Sequence, residues 1–134
     1  TKFVELLKKF IEDVGKDLVL DDFNLKEAQM RLPARKHFWV ARLMESKIRR
    51  GELTKKKTQL KKNITKEVIA TSPVKISQSS AEHAAERHES LQNLTSKIYE
   101  CNMIIEYLEK VEKVMGQMGF DIKNIIDVQK MEQL

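Results

Sequence analysis

Between Ala34 and Ala70 the chain contains no proline and one glycine, Gly51. Over the same stretch Trp39, Leu43, Leu53, Leu60, Ile64 and Val68 recur at near-heptad spacing. A sparse apolar stripe of this length predicts one long helix. Pro33 fits its first turn or a kink, and Gly51, which costs about 1 kcal/mol of helix propensity relative to alanine, marks a bend. At about 1.5 Å per residue such a helix outruns a compact domain of this size, so part of it is expected to project or to pair with another helix. With 134 residues, that leaves room for one domain, or for a small globular part plus an oligomerising arm.

The flanking segments also read as helical. Phe3, Leu6, Leu7, Phe10, Ile11 and Val14 share one face of a helix expected to end near Gly15 as its C′ residue. KDLVLDD, residues 16–22, reads as an extended connector, after which Asn24 or Asp22 is expected to cap a helix from about Leu25. TSPVKISQSS, residues 71–80, is a loop, because Ser72 before Pro73 is pushed out of helical dihedrals. Ser79 with Glu82 has the form of a capping box.

Beyond it, Leu91, Leu94, Ile98, Cys101, Ile105 and Leu108 form one seam, and Ile104, Leu108, Val111, Met115 and Met118 a second, rotated one. Two seams call for two partners, one being the chain itself and the other a second copy. Gly116 and Gly119 are expected to interrupt this helix. A last helix follows, with Asp121 as N-cap and Ile122, Ile125, Ile126 and Gln129 on one face. The expected fold class is all-α: N-terminal helices with a long basic helix, and C-terminal helices forming an oligomeric helical barrel or coiled coil. The expected regions are 1–70, an N-terminal helical DNA-binding part, 71–80, a loop, and 81–134, a C-terminal helical oligomerisation part.

Charge is distributed unevenly. The net charge is +5, yet residues 31–66 hold thirteen basic and two acidic side chains, while the segments on either side are net negative. The densest run is RRGELTKKKTQLKK, residues 49–62. A solvated helix face held by surface ion pairs would alternate signs, and here only Glu45 and Glu52 oppose the cations. A polyanion would relieve the self-repulsion and release condensed counterions, which favours nucleic acid over a bare solvated face. Of the aromatics, only Phe38 and Trp39 lie near, and Trp39 sits on the apolar stripe. The mechanism expected is therefore a sequence-blind backbone grip by Lys55, Lys56, Lys57, Lys61 and Lys62, helped by Arg49 and Arg50. Repeating the patch around an assembly would convert weak contacts into avidity.

No residues argue for catalysis, a cofactor or a metal. His83 and His88 are five apart and point to different faces of a helix, so they cannot share a metal as an i, i+4 pair could. Cys101, the single cysteine, falls on an apolar seam and reads as a core residue rather than a reactive thiol. No apolar run approaches membrane-spanning length and the start does not resemble a signal peptide, so the expected location is the cytoplasm. The rival to nucleic-acid binding is a structural coiled-coil adaptor whose basic helix meets an acidic protein or a membrane surface.

IIEYLEKVEKVMGQMGFDIKNIIDVQ, residues 104–129, resembles the end of the UvsY family, recombination mediators of T-even-type bacteriophages. The similarity is carried by Gly119-Phe120, Ile122-Lys123, Ile125 and Asp127, preceded by Ile104-Ile105-Glu106-Tyr107, with KDLVLD, Leu25 and Trp39 matching in order upstream. The resemblance implies a non-enzymatic, single-stranded-DNA-binding accessory protein of homologous recombination. Such a protein helps the phage recombinase UvsX displace the phage single-strand-binding protein. It further implies ring-like homo-oligomers, heptamers, in an infected bacterial host, assembled through the C-terminal helices; here that means Ile104, Leu108, Val111, Met115, Phe120, Ile122, Ile125 and Ile126. The family's Lys-x-Arg in the basic stretch has no full copy. Lys62 falls opposite its lysine and Ile64 opposite its arginine, with Lys61 as a substitute.

Overall fold

In the computed structural model, which describes residues 2–133, those residues form four helices and no strand. These are α1 (Lys2–Asp17), α2 (Leu25–Thr71), α3 (Gln78–Glu86) and α4 (Glu89–Glu132). The expected all-α class holds, but several boundaries move.

The helix α1 runs through Gly15, and no glycine among the described residues has a positive φ, so Gly15 is not a left-handed terminator. The turn into α2 is built by Asp21 rather than Asp22: its Oδ1 accepts from the backbone N–H groups of Phe23 and Asn24 at 2.8 and 2.9 Å. Asn24 occupies the cap position, its carbonyl accepting from Ala28 N at 2.8 Å, while its side chain reaches back to Asp21 N and Val19 O. The long helix then starts nine residues earlier than Ala34 and continues through Pro33. Pro33 and Gln29, the residue whose carbonyl forfeits its donor there, are both exposed, so water can serve that carbonyl.

The loop is shorter than expected. Ser77, not Ser79, caps α3, its Oγ accepting from Ser80 N at 3.1 Å. A break between α3 and α4 at Arg87 and His88 has no glycine or proline to announce it. There the His88 ring Nδ1 accepts from Ser90 N at 3.3 Å, supporting the first turn of α4. Conversely, the interruption expected at Gly116 and Gly119 and the cap expected at Asp121 are absent: α4 is continuous to Glu132. At Gly119 a Cβ would meet Leu32 Cδ2 at 3.5 Å, an ordinary van der Waals contact that a side chain could make.

Packing divides the chain into two compact units that cross the segments read from the sequence. One contains the residues up to Glu45 and those from Ile104 onward. Its core gathers Val14, Leu32, Trp39, Leu43, Ile105, Leu108, Met115 and Ile122, with Phe3, Leu7 and Phe10 of α1 against them. Trp39 is confirmed as core, with the Phe10 ring edge-on to it at 5.5 Å. Its indole N–H donates to Asp17 Oδ2 at 2.8 Å, and Arg35 donates to the same oxygen at 2.8 Å, which ties the end of α1 to α2. The other unit, Ser46–Met103, has a small core of Ile64, Ala85 and Leu91, with Leu60 and Val68 against it.

Both seams of α4 in the first unit are filled by the chain itself. Ile104, Leu108, Val111, Met115 and Ile122 are each 7 % exposed or less. The expectation that the second seam must await another copy is therefore corrected: α1 and α2 occupy it. Of the remaining residues assigned to assembly, Phe120 is 67 % and Ile125 36 % exposed, and Ile126 is half-buried.

Candidate nucleic-acid interface

Three arginines in the first half of α2 are paired with carboxylates. Arg31 lies near Glu27 and Asp17, Arg35 pairs with Asp17, and Arg42 makes a two-pronged contact with Glu45 at 2.8 Å. The hydrogen bond between them raises the Arg42 guanidinium pKa and lowers that of Glu45. Phe38 lies beneath the guanidinium groups of Arg35 and Arg42, 4.4 and 4.6 Å from its ring centre. Neither Phe38 nor Trp39 is thus presented as an open platform for a base.

Farther along α2, within Ser46–Met103, the helical period sorts the cations into two groups. At about 3.6 residues per turn, Arg50, Lys57 and Lys61 fall on the side of Leu53 and Ile64, and all three are half-buried. Arg50 donates to Asn102 Oδ1 at 2.9 Å, and Lys61 to Glu86 Oε1 at 2.8 Å. That hydrogen bond holds the Lys61 ammonium above the usual lysine value and the Glu86 carboxylate below its ordinary range, with Lys57 adding to the effect on Glu86. Lys61 is therefore already partnered, and it departs from the free cation expected from the sequence.

The second group points away from the helices. Lys55, Lys62 and Lys66 lie within about 40° of one another on the face opposite Leu53, while Lys56 and Arg49 lie about 80–140° round the helix from that row, on the flank nearer Leu53. All five are exposed, and among the described residues none of them forms an ion pair. Lys66 was not among the residues singled out in the sequence; its place one turn beyond Lys62 was the available signal. Lys62, carried over from the resemblance, is on this outer face, whereas Ile64 is in the core and cannot stand in for an arginine.

Among the described residues no cluster of histidine, cysteine and carboxylate side chains could hold a metal ion, and no helix is long and apolar enough to cross a membrane. Cys101 is buried, as its seam position predicts.

The profile of a family described as the recombination, repair and ssDNA binding protein UvsY matches residues 13–133. The chain belongs to the UvsY family. No curated protein matches it. Its fold is similar to two crystal structures of the bacteriophage T4 recombination mediator protein UvsY, in lattice types IV and II. The first aligns with TM-score 0.83 at 13 % identity over 94 % of this chain and 98 % of the other. The second aligns with TM-score 0.80 at 14 % identity over 96 % and 98 %. At such low identity the likeness shows a shared fold alone. The outer cations must be judged on their own geometry.

Proposed function

We propose that this chain is a recombination mediator that binds single-stranded DNA along the outer face of α2 and assists a recombinase in displacing a single-strand-binding protein. The observation that carries the reading is the row Lys55, Lys62 and Lys66, with Arg49 and Lys56 on a separate flank, all exposed and without carboxylate partners among the described residues. Such a row neutralises phosphates without reading bases. Arg50 and Lys57 lie on the opposite, half-buried side and take no part in the row; Lys61 joins only when Glu86 releases it.

Self-association multiplies the row. The residues of α4 suited to it are those turned outward, Phe120, Ile125, Val128 and Met131, rather than the buried set. A ring of copies, a heptamer on the family resemblance, would make each later contact along one strand intramolecular. UvsX and the phage single-strand-binding protein are the proposed partners, in the cytoplasm of an infected bacterium.

Fluorescence anisotropy with labelled single-stranded and duplex DNA tests the reading. Binding should be tighter for the single strand and fall steeply with salt. Absence of single-strand binding at low salt would remove it.

A further inference from the structure

Beside the outer face of α2 lies a groove of about 350 Å³ walled by α2 and α3, at the low end of the range of ligand pockets, roughly 300–1,000 Å³. Its two walls differ in chemistry. The α2 wall carries Lys62 and Lys66, both exposed and one turn apart, followed by the apolar side chain of Ile69, which is 41 % exposed. The α3 wall carries Gln78 and Glu82, also one turn apart.

From these walls we infer that the groove receives one nucleotide of a bound single strand, its phosphate on Lys62 and Lys66 and its base edge toward Glu82. It should thereby favour bases bearing an exocyclic amino group over thymine. The inference rests on the single-strand reading above and adds a base preference to a grip that is otherwise blind to sequence.

The polar groups of the groove are already partly committed, and the commitments decide what remains. Thr58 and Thr65 line it, but their hydroxyls donate to the carbonyls of Thr54 and Lys61, at 3.0 and 2.7 Å. The Gln78 amide nitrogen donates to Glu82 Oε1 at 3.3 Å. This leaves both Glu82 oxygens able to accept further, with Gln78 contributing Oε1 as an acceptor and one remaining amide N–H as a donor. Lys61, also in the lining, is engaged by Glu86. Cationic donors for a phosphate therefore stand on the α2 wall and the carboxylate on the α3 wall, with Ile69 on α2 as an apolar contact for the flat face of a base.

In a single strand the Watson–Crick edge is open to such a wall. Cytosine presents an amino group at the position where thymine presents a carbonyl oxygen, and a carboxylate accepts from the first and repels the second. Glu82 is half-buried, so water compensates the mismatch incompletely.

The test is anisotropy with labelled oligocytidine and oligothymidine of equal length, at matched salt in mildly alkaline buffer. The full chain should bind oligocytidine about fivefold tighter, the low end of what one good side-chain–base pair discriminates. Glu82→Ala should remove the difference, chiefly by tightening oligothymidine as a carboxylate leaves the groove. Glu82→Gln, which keeps the helix shape and can donate to a thymine carbonyl, should remove it as well. Lys62→Gln should weaken both strands by the same factor. Equal affinities in the parent protein, or a preference that persists in both Glu82 variants, would overturn the inference and leave single-strand binding standing. Failure of both strands to bind would overturn the two readings together.

Discussion

Asp17 holds the end of α1 to α2 in the first unit. Its side chain is 6 % exposed, and its Oδ2 receives the Trp39 indole and two nitrogens of Arg35, each at 2.8 Å. In Asp17→Ala the indole N–H, on a residue 2 % exposed, loses its acceptor, which costs about 1–3 kcal/mol. Arg35 is 30 % exposed and can turn to water, so its share is about 1 kcal/mol. The sum predicts a loss of about 2–4 kcal/mol for Asp17→Ala. Asp17→Asn should lose about half of that, because a carboxamide oxygen still accepts from the indole. Trp39 is the single tryptophan, so its fluorescence during urea unfolding reads this unit, and circular dichroism reads all the helices together. Protein concentration must be held fixed, because self-association shifts apparent stability. A cost for Asp17→Ala below about 1 kcal/mol would refute the reasoning, since it would mean that water already satisfies both donors.

Glu86→Gln should free Lys61 for phosphate, steepening the slope of log affinity against log salt by about 0.7 for a single strand; an unchanged slope would show that Lys61 does not reach the DNA. Burial holds the Tyr107 phenol above the ordinary tyrosine value, so the folded chain keeps this proton at pH values where the unfolded chain has lost it. Its contribution is intact below about pH 10 and is lost as pH rises through the folded value, and urea titrations at several alkaline pH values should show a smaller loss in Tyr107→Phe. Leu108→Glu should abolish folding, seen as lost helicity, whereas Phe120→Ser with Val128→Ser should keep helicity and lower the mass found by light scattering. An unaltered mass in the second variant would move self-association off this face.

The helical periods were readable because each long apolar stripe is one face of an element. The termini were less so. Gly15, Gly116 and Gly119 look like terminators in isolation, yet all three stay helical. The low helix propensity of glycine is about 1 kcal/mol per residue, too little to end helices of sixteen and forty-four residues. The break at Arg87 and His88 carries no local signal, because Ala81 and Ala85 of α3 are completely buried and packing sets where the helix stops. The two seams of α4 were legible as apolar, but their occupant was not: periodicity says which face is buried and not what buries it. The basic segment was visible as a charge excess. Sequence could not show that Glu86, twenty-five residues away, takes Lys61 out of the row, nor that Lys66 completes it.

The central claim is that the outer lysines of α2 hold phosphates. Its most direct measurement compares the salt dependence of single-strand binding by the parent chain with that of Lys55→Gln, Lys62→Gln, Lys66→Gln combined, after light scattering has shown equal assembly. Three lost contacts should make the log–log slope shallower by about 2, with affinity falling most at low salt. Parallel slopes in the two proteins would contradict the claim, because the strand would then be held elsewhere.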